Sequence, residues 1–154
     1  MAKRYKVAVA GLIHDHIWSV LKSFLEHEQV DVVGAADPNE PLLEKFKNAS
    51  GVTTVFSDPF EMLDAVKPDI VLVYTDNASA ADVVVAAAER GIHAVVEKPM
   101  AATLEQADRM LIASETNGTY LMINWPITWQ PAYQHALRLA KEGDIGNIWH
   151  VRHH

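Results

Sequence analysis

Short apolar runs alternate along this chain with longer stretches in which apolar residues recur every three or four positions. The first pattern predicts strands and the second predicts amphipathic helices. Tyr5 to Ala10 reads as a strand, and Asp15 to His27 as a helix with Ile17, Val20, Leu21, Phe24 and Leu25 on one face. Val30 to Ala35 predicts a second strand, Pro41 to Ala49 a short helix, Thr53 to Phe56 a third strand and Pro59 to Val66 another helix. Asp69 to Tyr74 is a strongly apolar fourth strand, followed by an Ala/Val-rich helix over Ala78 to Arg90 that Gly91 should stop. Ala94 to Val96 predicts a fifth strand. Thr103, with Gln106 three residues on, predicts a capping box opening a helix to about Thr116, and Tyr120 to Ile123 a sixth strand.

The strands are apolar almost without interruption, as burial on both faces requires. Regular strand–helix alternation implies a parallel sheet with right-handed crossovers, so the fold class expected is α/β, a Rossmann-type doubly wound sheet. Trp18, Phe24, Phe46, Met62 and Met110 lie at helical spacings and are expected in the core. After position 123 the character changes: Trp125, Pro126, Trp129 and Pro131 crowd together, a helix is expected over Pro131 to Glu142, and Ile148 to His154 reads as a strand. The expected organisation is therefore a dinucleotide-binding domain over 1–123 and, over 124–154, only the beginning of a second, α+β domain for substrate and assembly. A last strand with no partner would be prone to pair with another copy.

Composition narrows the function. The chain has 154 residues, 49% of them hydrophobic and 21% charged, with a formal net charge of −7. No basic stripe is present, so nucleic acid is not an expected partner. No segment is long enough to span a membrane. The absence of cysteine removes disulfides, thiolate metal sites and cysteine nucleophiles, and fits a cytoplasmic protein. Lys3-Arg4-Tyr5-Lys6 ahead of an apolar run could pass for a signal peptide, but the run is short and ends at His14-Asp15-His16, so it is read as the first strand.

In open parallel sheets ligands sit beyond the carboxyl ends of the strands, where the strand order reverses. The first loop on that side is Gly11-Leu12-Ile13-His14-Asp15-His16. Of a G-x-G-x-x-G fingerprint it keeps only Gly11, with Ile13 and His16 in the other glycine positions. Gly11, Leu12, Ile13, His14 and His16 are nonetheless candidates for contact with a dinucleotide. Asp37 closes the second strand, where a carboxylate can accept hydrogen bonds from ribose hydroxyls and repel a 2′-phosphate, favouring NAD over NADP. Equally, Asp37 could simply open the Asp-Pro-Asn turn. Asp15 is expected to cap the helix. His14 and His16 flank it, but alternate residues at a helix start should diverge, so no metal is expected there.

The fifth strand runs into Glu97-Lys98-Pro99. Gly91-Ile92-His93-Ala94-Val95-Val96-Glu97-Lys98-Pro99-Met100-Ala101 resembles the "GKHVxxEKPxA" signature of the Gfo/Idh/MocA family of NAD(P)-dependent oxidoreductases. Ala36-Asp37-Pro38, Asp69-Ile70-Val71 leading to Thr75, Pro131-Ala132-Tyr133 and Glu142-Gly143-Asp144-Ile145-Gly146 are similar to other segments of that family. The resemblance implies that Lys98 sits beside nicotinamide and substrate as the catalytic residue, orienting a hydroxyl or assisting proton transfer. It implies that Glu97 contacts the nicotinamide side or holds the loop, and that Thr75 and Asn77 can reach the cofactor; Asn124 follows the sixth strand, whose end faces the ligand, and is a further candidate. Asp76 departs from the family's usual Thr-Pro pair and adds negative charge. Further catalytic residues of the family, on a second domain, have no counterpart in the sequence. His150, His153 and His154 are expected to be structural or incidental, and Trp125 and Trp129 could pack on a sugar ring or form a seam between domains.

Two function classes follow. The first is an oxidoreductase moving a hydride between NAD (less readily NADP) and a sugar, polyol or related small substrate, homo-oligomeric at full length and inactive as this chain alone. The second is a non-catalytic, dehydrogenase-like module that binds a ligand or cofactor.

Overall fold

The structure, a computed structural model, describes residues 3–152 and divides after Asn124 into two compact units. In the first, a six-stranded sheet contains β1 (Tyr5–Ala10), β2 (Val30–Ala36), β3 (Val55–Phe56), β4 (Ile70–Val73), β5 (His93–Glu97) and β6 (Leu121–Asn124). Its order is β3-β2-β1-β4-β5-β6, and every neighbouring pair is parallel. Five helices connect the strands: α1 (Asp15–Glu26), α2 (Glu40–Ser50), α3 (Pro59–Val66), α4 (Ala80–Glu89) and α5 (Leu104–Thr116). The chain leaves β1 for β2 on one side and later returns to β4 on the other, so the strand order reverses between β1 and β4.

Alternation along each strand builds two cores. Val7, Val9, Leu72 and Tyr74 pack with Ile17, Leu21, Leu43 and Phe46 from α1 and α2. Their neighbours Ala8, Ala10, Val71 and Val73 pack on the other face with Met62, Leu63, Val83, Val84 and Met110. Successive strand side chains point to opposite faces, so a parallel sheet covered on both sides must be apolar throughout. Helix α4 is buried along most of its length through Ala80, Ala81, Val83, Val84, Ala86, Ala87 and Ala88. Its small side chains suit a helix lying between the sheet and α5, where apolar residues are needed on more than one face.

Local signals explain most element ends. Asp58 caps α3 by accepting hydrogen bonds from the Phe60 and Glu61 N–H groups at 2.6 and 3.0 Å. Thr103 Oγ1 accepts from the Gln106 N–H at 3.2 Å, and Gln106 Oε1 accepts from the Ala102 N–H at 3.1 Å, closing the expected capping arrangement. Gly51 and Gly91 follow α2 and α4 at φ 74° and 71°.

Four expectations are corrected. Asp15 does not cap α1: His14 is the cap residue, extended at φ −85°, ψ 132°, and its Nδ1 accepts the His16 N–H at 3.2 Å. Asp15 is already the first helical residue, so its side chain cannot serve as the cap. Trp18 and Phe24 are half-buried rather than core, and Lys45 Nζ sits 3.8 Å from the Trp18 ring centroid. Asn124, expected to follow the sixth strand, is the last residue of β6, in register with Glu97. The final strand is absent over residues 148–152, which pair with no other strand. A strand needs a neighbour for its backbone groups. His153 and His154 lie outside the described residues.

The second unit, from Trp125, holds a short 3-10 turn (Pro126–Trp129) and α6 (Pro131–Glu142). Trp125, Trp129 and His150 are exposed. No helix among the described residues is long and apolar enough to cross a membrane.

Candidate functional site

Beyond the carboxyl ends of β1 and β4, the two segments approach closely. Gly11 adopts φ +84°, and a Cβ placed on it would stand 2.4 Å from the Thr75 backbone nitrogen and 2.6 Å from the Tyr74 carbonyl carbon. Only glycine satisfies both the positive φ and this backbone approach. The Gly11 N–H donates to the Ala36 carbonyl at 2.7 Å, and the Tyr74 N–H to the Ala10 carbonyl at 2.7 Å, so the loop is tied to both neighbouring strands.

Asp37 lies beneath the loop, 1% exposed. Its Oδ2 accepts the Leu12 N–H at 2.6 Å and its Oδ1 the Asn39 N–H at 2.8 Å. The turn-opening role expected for Asp37 is therefore present, together with a second, stitching role that the sequence does not display. Leu12 is fully buried and its N–H is taken, so it faces the core and not the cleft. Among the described residues, the N–H groups of Ile13 and His14 meet no protein acceptor. Ile13 is 55% exposed.

These residues border a cleft of about 380 Å³ lined by Gly11, Ile13, Asp37, Pro38, Phe60, Thr75 and Ser79 among others. Among the described residues, four carboxylates line it, Asp37, Asp58, Asp76 and Asp82, and no lysine or arginine does, while Arg109 pairs with Asp82 at 2.7 Å from outside the lining. Asp76, which the sequence suggests would burden the site with charge, is engaged in structure. It accepts the Ala78 and Ser79 N–H groups at 2.9 and 3.0 Å and the Ser79 hydroxyl at 2.7 Å. The Ser79 hydroxyl, followed by the backbone N–H groups, holds its carboxyl below the usual range. Thr75 is half-buried and its hydroxyl donates to the Asp76 carbonyl at 3.1 Å, while Asn77 is exposed in the turn before α4. A larger hollow of about 450 Å³ opens at the opposite, amino ends of the strands. Asp64 and Arg90 on its wall are already paired through Arg90 Nε at 2.7 Å, and the strand ends there are not those that carry ligands in such sheets.

Further along the sheet, Glu97 ends β5 as a buried carboxylate. Its Oε2 accepts the Asn124 amide at 2.9 Å. Its Oε1 lies 3.0 Å from His16 Nδ1, yet no N–H is aligned on it, and it is a buried oxygen without a hydrogen bond. Tyr74, behind this group, is pushed up to about 12, first by burial and then by the Glu97 charge. Lys98 follows Glu97 directly and is half-buried. The structure thus gathers His14, His16, Glu97 and Asn124 into one cluster, and Gly11, Ile13, Asp37 and Thr75 around the cleft.

A parallel sheet with reversed strand order, a glycine turn at the reversal and a cleft beyond it define a nucleotide-binding α/β domain. Residues 5–125 match the oxidoreductase family with an NAD-binding Rossmann fold, and the chain belongs to that family, Gfo/Idh/MocA. It is 32% identical over 149 residues to a D-apiose dehydrogenase of Paraburkholderia graminis, covering 94% of this chain and 38% of that protein. A D-xylose 1-dehydrogenase [NADP(+)] of Haloarcula marismortui is 38% identical over 78 residues, 51% of this chain and 22% of that protein. In fold it is similar to the scyllo-inositol dehydrogenase of Lactobacillus casei with bound NAD(H) and scyllo-inositol: TM-score 0.87, 19% identity, 95% of this chain and 43% of that one. The chain therefore spans well under half the length of these relatives.

Proposed function

We propose that the cleft takes the adenosine end of NAD(H), and that the chain is the nucleotide-binding part of a dehydrogenase acting on a carbinol of a sugar or polyol. The observation that carries this is the charge of the cleft lining: four carboxylates, of which only Asp82 is paired with a cation, Arg109. Ribose hydroxyls can donate to carboxylates, whereas the 2′-phosphate of NADP would meet repulsion that the Arg109–Asp82 pair offsets only in part. One relative is named for NADP(+), so the preference rests on this chain's own cleft and not on kinship. The unengaged N–H groups of Ile13 and His14, at the positive end of α1, suit a pyrophosphate. The bare Gly11 backbone allows the approach.

Bound NAD supplies the hydride acceptor. Lys98 is the catalytic residue: its ammonium beside the reacting hydroxyl would orient that group and stabilise the negative charge developing on its oxygen. Glu97, held by Asn124, fixes the strand end from which Lys98 projects. Sugar-like substrates are part of the same proposal, drawn from kinship, and a cytoplasmic setting is drawn from the lack of cysteine.

A fluorescence titration with NADH tests the reading. Saturable energy transfer from tryptophan is expected, weakened in Asp37→Asn, which removes the charge and one of two loop acceptors. Where turnover is measured, Lys98→Met should lower kcat by about 10²–10⁴-fold and leave NADH affinity nearly unchanged. The exposed Ile13 side chain favours the second reading, a ligand-binding module without catalysis. Folded protein that binds neither dinucleotide would support that reading.

A further inference from the structure

His14 and His16 do not diverge. Because His14 is the extended cap residue of α1, its ring turns back over the first helical turn, and the two imidazole centroids stand 4.6 Å apart. Glu97 reaches the same point from β5, two strands away from β1. One ring nitrogen of each histidine and one Glu97 carboxylate oxygen lie within 4.8 Å of one another. The Glu97 side chain is 4% exposed, and its Oε1 has no hydrogen bond. A buried carboxylate oxygen without a donor is costly and calls for a positive partner.

We propose that His14, His16 and Glu97 form a binding site for a single divalent transition-metal ion, with Zn²⁺ the best fitted. Two imidazoles and a carboxylate are the borderline donor set that Zn²⁺ takes, leaving a fourth position open. Mg²⁺ and Ca²⁺ require more oxygen ligands than one carboxylate supplies. Ligands about 2.0–2.1 Å from a tetrahedral ion stand about 3.3 Å apart. His16 Nδ1 and Glu97 Oε1, at 3.0 Å, are already near that spacing. His14 uses Nδ1 for the cap, so Nε2 is its unengaged donor. Asn124, on Glu97 Oε2, supplies the outer hydrogen bond that orients a metal-bound carboxylate. The site does not depend on the dinucleotide reading: it uses side chains, not loop N–H groups, and is expected in the cofactor-free chain.

Titration of the cofactor-free protein with Co²⁺, followed by visible absorption, and with Zn²⁺, followed by calorimetry, tests it. One ion per chain is expected, with Zn²⁺ displacing Co²⁺. His14→Asn keeps an acceptor at the helix cap, and Glu97→Gln keeps the side-chain volume. Each should weaken Zn²⁺ binding by at least about tenfold, as should His16→Gln. Replacing His150, His153 and His154 together by alanine should leave the affinity unchanged. Folded protein that binds no ion would overturn the proposal. So would an affinity that survives His14→Asn and Glu97→Gln but is lost with the three terminal histidines.

Discussion

Gly11 and Gly51 both hold positive φ, but only Gly11 has backbone where a Cβ would go. Gly11→Ala must strain its φ and push the β4–α4 connection away, so a loss of about 3 kcal/mol or more is expected in chemical denaturation. Gly51→Ala, with open space around it, should cost only about 1–2 kcal/mol. Tyr74 gives a pH signature. Its folded value near 12 exceeds the unfolded value near 10, so the folded state holds the proton longer. Its contribution is complete below pH 10 and is lost as pH rises from 10 to 12, by about 2–3 kcal/mol in all. Alkaline denaturation curves should show this fall, and Tyr74→Phe should flatten it. None of this is legible in the sequence: Gly11 stands out as a turn residue, but the nearness of Thr75, 64 positions away, depends on β1 pairing with β4.

At the scale of elements, the sequence carries most of what the structure contains, since strand burial and helix caps are local physics. Pro59–Val66 and the Thr103 cap lie where the pattern puts them. Thr103→Ala should cost about 1 kcal/mol, and Phe46→Ala, in a fully buried site, about 3–5 kcal/mol by thermal or denaturant unfolding. The pattern fails where an element depends on a distant partner. Residues 148–152 have strand-like composition and pair with no strand among the described residues. His14 looks like a loop residue until the chain turn makes it the cap of α1, and that same turn brings it to His16. Glu97 and His16 meet only because β5 and the β1 loop share one edge of the sheet, a relation that spacing along the chain does not encode.

For the whole first unit, the doubly wound sheet fixes where a ligand can sit, and the family motif at Glu97-Lys98-Pro99 marks the same edge. What the motif leaves open is which dinucleotide the edge accepts, because the degraded glycine pattern hides the unengaged Ile13 and His14 N–H groups and the acidic lining of the cleft. On the proposed reading electrostatics sets the preference through the 2′-phosphate, the only group by which the two cofactors differ. The most direct measurement is a calorimetric titration of the protein with NADH and then NADPH in the same low-salt buffer. NADH is expected to bind at least about tenfold tighter than NADPH, corresponding to about 1.4 kcal/mol, with the difference shrinking as salt screens the carboxylates. Equal affinities, or tighter NADPH binding, would contradict that reading.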